Sequence, residues 1–382
     1  MRRVGRRIVP SGRVEPYMIA GRELMGWPLG LRLRVAAELL TGRLRHPRDG
    51  TLDGICRARL GPTLYARSGL RAYVERFHHV PATQIDEAFF QRRMGLVERA
   101  TRPAALLRRA IGALSRGDPA PVAPPLRVRP RAGMDALFAP IRVALEASGV
   151  EVALNEPVTR IAADGEGFSV GTAAGTRRVG AVAATIPLDT THRAVFGTPS
   201  GLASIDLMTL FVSARWLSPD IGNVLFNFHE DGRWKRATIH SRLYPDTGAP
   251  RAHFSVEVTL PPGARADPED AFADLATHLG TLALADGLRL EGHALTPSAY
   301  PLYAPGHAAR VAEVLDRLQA AGIVTAGRQG RFEYLPTASG VIARVGEELA
   351  AAGLPGAEGA PPAPPSARPL AAGAVRPRPV EG

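Results

Sequence analysis

Residues 321–349 constrain the fold more than any other stretch, because the pattern of a buried strand, a glycine turn and a helix start follows in succession. The apolar run 323–326 predicts a short buried strand. Gly327 and Gly330 then let the backbone turn sharply and approach another group closely, since glycine has no Cβ. A Pro-Thr pair at 336–337 opens a helix. This order directs backbone N–H groups toward an anion and predicts a strand–turn–helix unit of an α/β protein.

Ligand binding and a plain structural joint are both open at this turn, because motif matches of this length carry a high false-positive rate. A dinucleotide-binding domain normally starts with a strand, G-x-G-x-x-G and a helix, since that turn holds the pyrophosphate. The sequence contains neither that motif nor the Gly-Lys pair of a P-loop. The usual marker of a nucleotide-phosphate site is therefore absent from the sequence.

The charge of the chain is strongly positive, at +11 with 47 basic and 36 acidic residues. Lys235 is the only lysine, so the basic residues are almost all arginines. They are scattered along the chain and do not alternate with aromatic residues, which argues against a nucleic-acid module. A positive field favours an anionic small-molecule substrate, and it leaves peripheral contact with a membrane surface open.

Neither membrane insertion nor secretion is indicated. No apolar run reaches the roughly 18–20 residues that span a bilayer. The basic start of the sequence is not followed by the apolar region of a secretory signal. Cys56 is the only cysteine, so no intrachain disulfide can form and a reducing, cytoplasmic location is predicted. The adjacent His78 and His79 have no ligand partner four residues away, and no metal site is predicted.

Helix-type and strand-type sequence patterns both occur along the chain. Helical apolar stripes cover residues 30–116 and a proline-rich stretch follows at 117–130. Residues 135–148 predict a helix and residues 150–154 a strand. Alternating residues over 205–260 predict an antiparallel sheet of about four strands.

Four segments carry a resemblance to a known family. The run 327–334, G-R-Q-G-R-F-E-Y, resembles the C-terminal flavin-contacting motif of the flavin amine oxidase superfamily, which includes protoporphyrinogen oxidase-like and UDP-galactopyranose mutase-like proteins. The run 131–187 looks like the part with which that family completes its FAD domain. Segments 225–236 and 300–303 match the family's substrate domain and the approach to its last FAD unit, in the same order.

The resemblance implies an FAD-dependent oxidoreductase that acts on a small molecule. Val158 is placed at the adenine. Lys235, Arg236 and Tyr300 are the candidates for residues that face the substrate or the flavin ring. A non-redox use of flavin, as in UDP-galactopyranose mutase-like proteins, is a variant of the same hypothesis. The residues implied to contact the flavin side are Gly327, Arg328, Gly330, Phe332 and Tyr334.

The fold class predicted is α/β in a mixed α+β form, with an incomplete FAD/NAD(P)-binding Rossmann-like domain and a helical plus antiparallel-sheet substrate domain. The family's N-terminal βαβ unit has no match, so the sequence looks like an N-terminally truncated member. A start placed too late, a complementing N-terminal polypeptide from a split gene and a shortened protein that has lost the cofactor are all open. The alternative is a non-catalytic binding or scaffold protein on a degraded flavoprotein fold. The predicted segments are 1–116 (helical part of the substrate domain), 117–130 (proline-rich joint), 131–200 (FAD-domain segment), 201–300 (antiparallel-sheet substrate domain), 301–353 (C-terminal FAD-domain segment) and 354–382 (disordered tail).

Overall fold

The structure, a computed structural model, divides into two compact units. The larger unit comprises Met1–Pro157 and Gly201–Ala312, and the smaller unit comprises Val158–Ser200 and Glu313–Gly382. Helices are present together with antiparallel and parallel strand pairs, which confirms the predicted mixed α/β class. The residues described are 4–17, 21–46, 48–93, 128–245, 248–335 and 337–354. The predicted tail lies almost entirely outside them, as does most of the proline-rich joint.

Several helices of the larger unit precede residue 94, where the apolar stripes predict them. Leu52, Ile55 and Phe77 are buried where these helices pack. The Thr51 hydroxyl accepts a hydrogen bond from the Gly54 N–H at 3.0 Å and caps one helix start. None of the described helices is long and apolar enough to cross a membrane. The helices are α1 Gly21–Met25, α2 Leu29–Arg45, α3 Leu52–Leu60, α4 Pro62–Arg67, α5 Leu70–His78, α6 Ala88–Arg93, α7 Asp135–Ala147, α8 Leu188–Phe196, α9 His240–Leu243, α10 Pro268–Thr281, α11 His307–Ala320, α12 Gly327–Gly330 and α13 Ala338–Ala351.

The longest strands lie in the larger unit, and burial alternates along β10 and along the first part of β11. They are β1 Gly5–Ile8, β2 Val14–Pro16, β3 Val158–Asp164, β4 Gly167–Thr172, β5 Gly175–Val179, β6 Val182–Ala184, β7 Ser204–Ala214, β8 Trp216–Leu217, β9 Val224–Asn227, β10 Arg236–Ile239, β11 Ala252–Leu260, β12 Ala285–Asp286, β13 Arg289–Pro301 and β14 Ile323–Thr325.

A seven-stranded sheet organises the larger unit, in the order β13-β7-β11-β10-β9-β1-β2. Its neighbours run antiparallel except β1 and β9, which are parallel. The alternation over 205–260 predicts four of these strands, β7, β9, β10 and β11, whereas β1, β2 and β13 join the sheet from outside that segment. One face of the sheet packs against α10, whose Leu275 and Leu279 join Leu210, Val256 and Trp234 in the core. Burying these side chains contributes about 1.5–3 kcal/mol each.

The smaller unit contains two small sheets. Strands β3, β4 and β5 form an antiparallel meander, and β6 pairs in parallel with β14. The phenyl ring of Phe168 in β4 lies against Gly322, just before β14, where an added Cβ would be 3.1 Å from the ring. Ile161, Leu188, Leu318 and Ile323 are buried in this unit.

The predicted strand at 150–154 is wrong. Within the described residues, 150–154 pair with no other strand. The alternation that predicts it is real, because Val150, Val152 and Leu154 share one spacing. Their side chains, however, are exposed by 44%, 38% and 66%. An alternating segment becomes a strand only where a neighbouring strand accepts its backbone hydrogen bonds, and no described segment does so.

Candidate functional site

The glycine turn of the smaller unit forms as the sequence predicts, between β14 and α13. Gly327 has a φ of +75°, which side-chain-bearing residues adopt with strain. Gly330 lies against β6, where an added Cβ would be 2.6 Å from the Ala184 carbonyl oxygen. The Thr337 hydroxyl accepts a hydrogen bond from the Gly340 N–H at 3.2 Å and caps α13. Both glycines are thus required by the backbone itself.

The negatively charged group at this turn is a side chain of the protein, the carboxylate of Glu348. The Gly327 N–H donates to Oε2 of Glu348 at 2.9 Å. The Glu348 carboxylate is also 3.0 Å from the guanidinium groups of Arg331 and of Arg344. Its side chain is only 6% exposed, so two arginines and a backbone donor stabilise a buried charge. The turn therefore holds α13 in place through electrostatics.

The residues implied to contact flavin lie around the same turn. The Arg328 guanidinium is 5.3 Å from the centre of the Tyr334 ring, within the range of a cation–π contact. Phe332 has a φ of +55°, which is uncommon for an aromatic residue and marks a constrained backbone. Val158 begins β3 and pairs with Thr172 of β4. All the predicted cofactor residues thus belong to the smaller unit.

These residues fit only part of an FAD molecule. The isoalloxazine and ribityl portions need close backbone approach and aromatic contacts, which the turn and its aromatic residues offer. The pyrophosphate needs several free N–H donors at a glycine turn. The sequence has no G-x-G-x-x-G, and the Gly327 N–H already binds Glu348. These residues alone therefore do not provide a site for the pyrophosphate of FAD.

A second cluster lies in the larger unit, around Lys235. Its side chain is 3% exposed, and Nζ is 3.0 Å from Oε2 of Glu257. The same ammonium lies 4.2 Å from the centre of the Tyr300 ring and 4.4 Å from that of Phe77. The two rings contact each other edge to face. The lysine is thus enclosed by one carboxylate and two aromatic faces.

Arg236 completes this cluster from the neighbouring position. Its guanidinium pairs with the other oxygen of Glu257, and it remains 32% exposed. Burial raises the pKa of Glu257, but the charges of Lys235 and Arg236 outweigh that effect and lower it. Burial by itself would lower the pKa of Arg236. The negative charge of Glu257 outweighs the effect of burial, so the pKa of Arg236 is raised. The structure therefore brings Lys235 and Arg236 together as two cations on Glu257, with the Tyr300 ring against Lys235.

Glu257 and Phe77 are absent from the site residues that the sequence predicts. The sequence could have indicated Glu257, since it is a charged residue between the apolar Val256 and Val258 of a predicted strand. In the sheet it stands opposite Arg236 across β10 and β11. Phe77 comes from α5, more than 150 residues away in sequence, and no local pattern links it to Lys235.

Next to Lys235, a hydrogen-bonded chain of rings runs from the core toward the surface. The buried Trp234 donates from Nε1 to Nδ1 of His278 at 3.0 Å. Nε2 of His278 lies 3.1 Å from Nδ1 of His229. Since Nδ1 of His278 accepts the hydrogen bond from Trp234, its Nε2 must carry the hydrogen in the neutral ring. Burial, reinforced by the nearby His229, lowers the pKa of His278 to about 4.

The stability of the larger unit is expected to fall as the pH drops from about 6.5 to about 4. His278 is neutral in the folded chain over this window, whereas an unfolded chain binds the proton, so protonation favours unfolding. The full shift corresponds to on the order of 2–3 kcal/mol. Urea unfolding at pH 7.5 and 4.5 measures it.

His278→Gln should flatten this dependence, because glutamine does not titrate and its carbonyl can still accept from Trp234. The exposed His293 provides the matched control, and His293→Gln should keep the full pH dependence. An identical decline in the wild type and in His278→Gln would show that His278 does not cause it.

Comparison with known proteins identifies the fold. No family model matches the sequence, and no curated protein matches it. Solved structures do match. A reduced UDP-galactopyranose mutase has a TM-score of 0.68 at 16% identity, covering 92% of this chain and 79% of that chain. A protoporphyrinogen oxidase-type protein from Exiguobacterium sp. 255-15 has a TM-score of 0.62 at 16% identity, with 91% and 80% covered. Cyclohexylamine oxidase from Brevibacterium oxydans IH-35A has a TM-score of 0.50 at 12% identity, with 92% and 80% covered.

Proposed function

We propose that this chain, which has the fold of the flavin amine oxidase superfamily, is the main part of an FAD-dependent oxidoreductase of the amine oxidase-like kind. The observation that carries the proposal is the fold itself, which matches a UDP-galactopyranose mutase over 92% of the chain with a TM-score of 0.68. A fold alone does not define a function, so the proposal also relies on the two residue clusters. In this class of enzyme the flavin supplies the redox chemistry, and the protein binds and orients.

The smaller unit would contact the flavin side of the cofactor. Arg328, Phe332 and Tyr334 supply a cation and two aromatic rings near the glycine turn. Val158 would contact the adenine through its backbone. The phosphate-binding turn would come from a complementing polypeptide with a strand, a G-x-G-x-x-G turn and a helix, because this sequence contains no such motif. About a fifth of the UDP-galactopyranose mutase chain has no counterpart in this one.

An exposed apolar surface supports the complementing polypeptide. Helix α7 leaves Leu137, Phe138 and Ile141 about half exposed, at 48%, 54% and 54%. Residues 150–154 follow it outside every described sheet, with Val150, Val152 and Leu154 exposed by 44%, 38% and 66%. A polypeptide that adds one strand beside 150–154 would cover these apolar side chains.

The larger unit would handle the substrate. Lys235 is held between two aromatic rings by Glu257, and Arg236, at 32% exposed, is more accessible to water than Lys235 or Glu257. Because the chain carries a net charge of +11, the substrate would be a small, anionic molecule. Tyr300 would present its ring and hydroxyl at the same place.

A non-catalytic binding protein is the second candidate, and one contact favours it. The Gly327 N–H, the donor that a flavoprotein turn would offer to a ligand, is bonded to Glu348. A protein that has given up its cofactor can use that donor for its own stability.

Flavin retention separates the two candidates. The purified chain is mixed with excess FAD, passed through a gel-filtration column, and its absorbance is read between 350 and 500 nm, about where flavins absorb. We expect retained flavin, with Arg328→Ala reducing the amount and Arg193→Ala, an exposed arginine of the same unit, leaving it unchanged. A chain joined at its start to a strand–G-x-G-x-x-G–helix segment should retain more. If both folded forms are colourless, the oxidoreductase proposal fails and the binding-protein candidate remains.

A further inference from the structure

A small basic pocket lies in the larger unit, and its lining shares no residue with the cluster around Lys235. Its volume is about 240 Å³. Its walls come from the segment before α7 and from the connection between β10 and β11, which includes α9. No carboxylate is among the described residues that line it. The polar lining consists of Arg129, Arg131, His240, Ser241, Tyr244 and His253.

The pocket is held together by hydrogen bonds between its own walls. The Tyr244 hydroxyl donates to the Arg129 carbonyl oxygen at 3.0 Å. The Arg129 guanidinium lies 5.5 Å from the centre of the same ring. Across the pocket, the His253 N–H donates to the Ser241 hydroxyl at 3.3 Å. The bond between Tyr244 and Arg129 joins residues 115 positions apart, so it fixes the segment that carries Arg129 against the residues that follow α9.

The electrostatic environment of the pocket is positive. Burial lowers the pKa of His240, and the nearby Arg129 and His253 lower it further. Nε2 of His240 lies 2.9 Å from the Ser255 hydroxyl, which fixes the ring. Arg131 and Tyr244 are the other titratable groups that line the same cavity. An anion placed among these groups would be attracted by two guanidinium groups and would favour the protonated form of His240.

We propose that this pocket binds the phosphate group of a small phosphate monoester. Planar guanidinium groups bind phosphate oxygens through paired N–H donors, and imidazole, hydroxyl and phenol groups supply further donors. The volume is below the roughly 300 Å³ of typical drug-sized ligand sites, which suits one phosphate with a short substituent. The same chemistry occurs in a free ester and in the headgroup of an anionic lipid.

Calorimetric titration with glycerol 3-phosphate tests the pocket on the full chain. The double variant Arg129→Gln/Arg131→Gln is expected to weaken binding by at least about tenfold, because it removes both charged donors. Arg215→Gln is the matched control, since Arg215 is an exposed arginine of the same unit outside the pocket, and it should bind as the wild type does. Unchanged circular dichroism and unfolding temperature confirm that the variants are folded.

Proton NMR of the histidine rings gives an independent readout. Inorganic phosphate should raise the pKa of His240, identified by its loss in His240→Asn, and should leave the exposed His293 unaffected. If the double arginine variant binds glycerol 3-phosphate as tightly as the wild type, or if all arginine variants weaken it equally, the pocket is not the site. Absence of binding by the wild type to both the ester and the vesicles below overturns the proposal as well.

Co-sedimentation with vesicles distinguishes the two sources of phosphate. Phosphatidylcholine vesicles with and without phosphatidic acid are mixed with the wild type and with the double variant. Binding of glycerol 3-phosphate without sedimentation supports a free phosphate ester. Sedimentation that needs phosphatidic acid and both arginines supports a lipid headgroup.

Discussion

Replacing Glu257 by leucine is expected to lower the free energy of unfolding of the larger unit by about 3–5 kcal/mol. Lys235 is 3% exposed, and its ammonium forms an ion pair with Glu257 at 3.0 Å. Without that carboxylate, the ammonium is left between the rings of Phe77 and Tyr300, and cation–π attraction offsets only about 2 kcal/mol of its desolvation. Chemical denaturation monitored by circular dichroism measures the loss.

The opposite substitution should cost less. In Lys235→Met, Glu257 keeps its pair with Arg236, which is 32% exposed and reaches solvent, so no buried charge is left alone. We expect a loss of about 1–2 kcal/mol, mainly from the missing hydrogen bond. The double variant Glu257→Leu/Lys235→Met should be more stable than Glu257→Leu, because removing both members of a buried pair removes the desolvation cost as well.

A surface pair provides the control for this cycle. Arg215 and Asp286 pair in the same unit with side chains 70% and 60% exposed, so Arg215→Met should unfold as the wild type does. If Glu257→Leu were as stable as Arg215→Met, the cluster around Lys235 would be solvated in solution, and its assignment as a buried ionised group would be wrong. A Lys235→Met variant that loses as much as Glu257→Leu would contradict the asymmetry between the two partners.

Local patterns predicted the elements whose partners are close in sequence or repeat regularly. The β14 strand, its glycine turn and the Thr337 cap all follow from one stretch of about 30 residues. The antiparallel sheet follows from alternation over 205–260, because register in such a sheet is fixed by which face is buried. The helix over 135–147 follows from its apolar spacing, although its apolar side chains remain exposed.

What the sequence did not predict depends on distant partners. Residues 150–154 have the alternation of a strand and lack a neighbour within the described part of the chain. The ion pair between Lys235 and Glu257 depends on the register of β10 against β11, which no spacing in either strand reveals. Glu348 satisfies the Gly327 N–H from 21 positions away, so the sequence alone left a ligand site and a structural joint both open at this turn. In each case the local pattern is present in the sequence, and the structure that forms depends on a partner residue or strand that the pattern does not specify.

The second large effect is expected at the glycine turn, where Gly330→Ala should destabilise the smaller unit by about 2–3 kcal/mol. The new Cβ would lie 2.6 Å from the Ala184 carbonyl oxygen and 3.2 Å from the Thr185 Cα. These are backbone atoms of β6 and of the residue that follows it, and they cannot rotate away as a flexible side chain can. The gain of about 1 kcal/mol that alanine brings to a helical position reduces the loss and does not reverse it.

Gly180→Ala is the matched substitution in the same unit. No atom lies within 4 Å of a Cβ built at Gly180, so its effect should stay within about 0.5 kcal/mol. Hydrogen exchange of the amides in β6 and β14 provides the measurement, because these strands pair directly beside the turn. Faster exchange there in Gly330→Ala, and wild-type exchange in Gly180→Ala, is the expected result.

The same variant separates a structural glycine from one that approaches a ligand. If Gly330 serves the packing of the turn against β6, Gly330→Ala loses stability whether or not FAD is present. If it serves ligand approach, the variant keeps its exchange protection and loses only flavin retention. Because the Ala184 oxygen is fixed by strand pairing and the Gly327 N–H is already bonded to Glu348, the turn is constrained on both sides by the protein itself. We therefore expect the structural result, with any loss of flavin following from the loss of the turn.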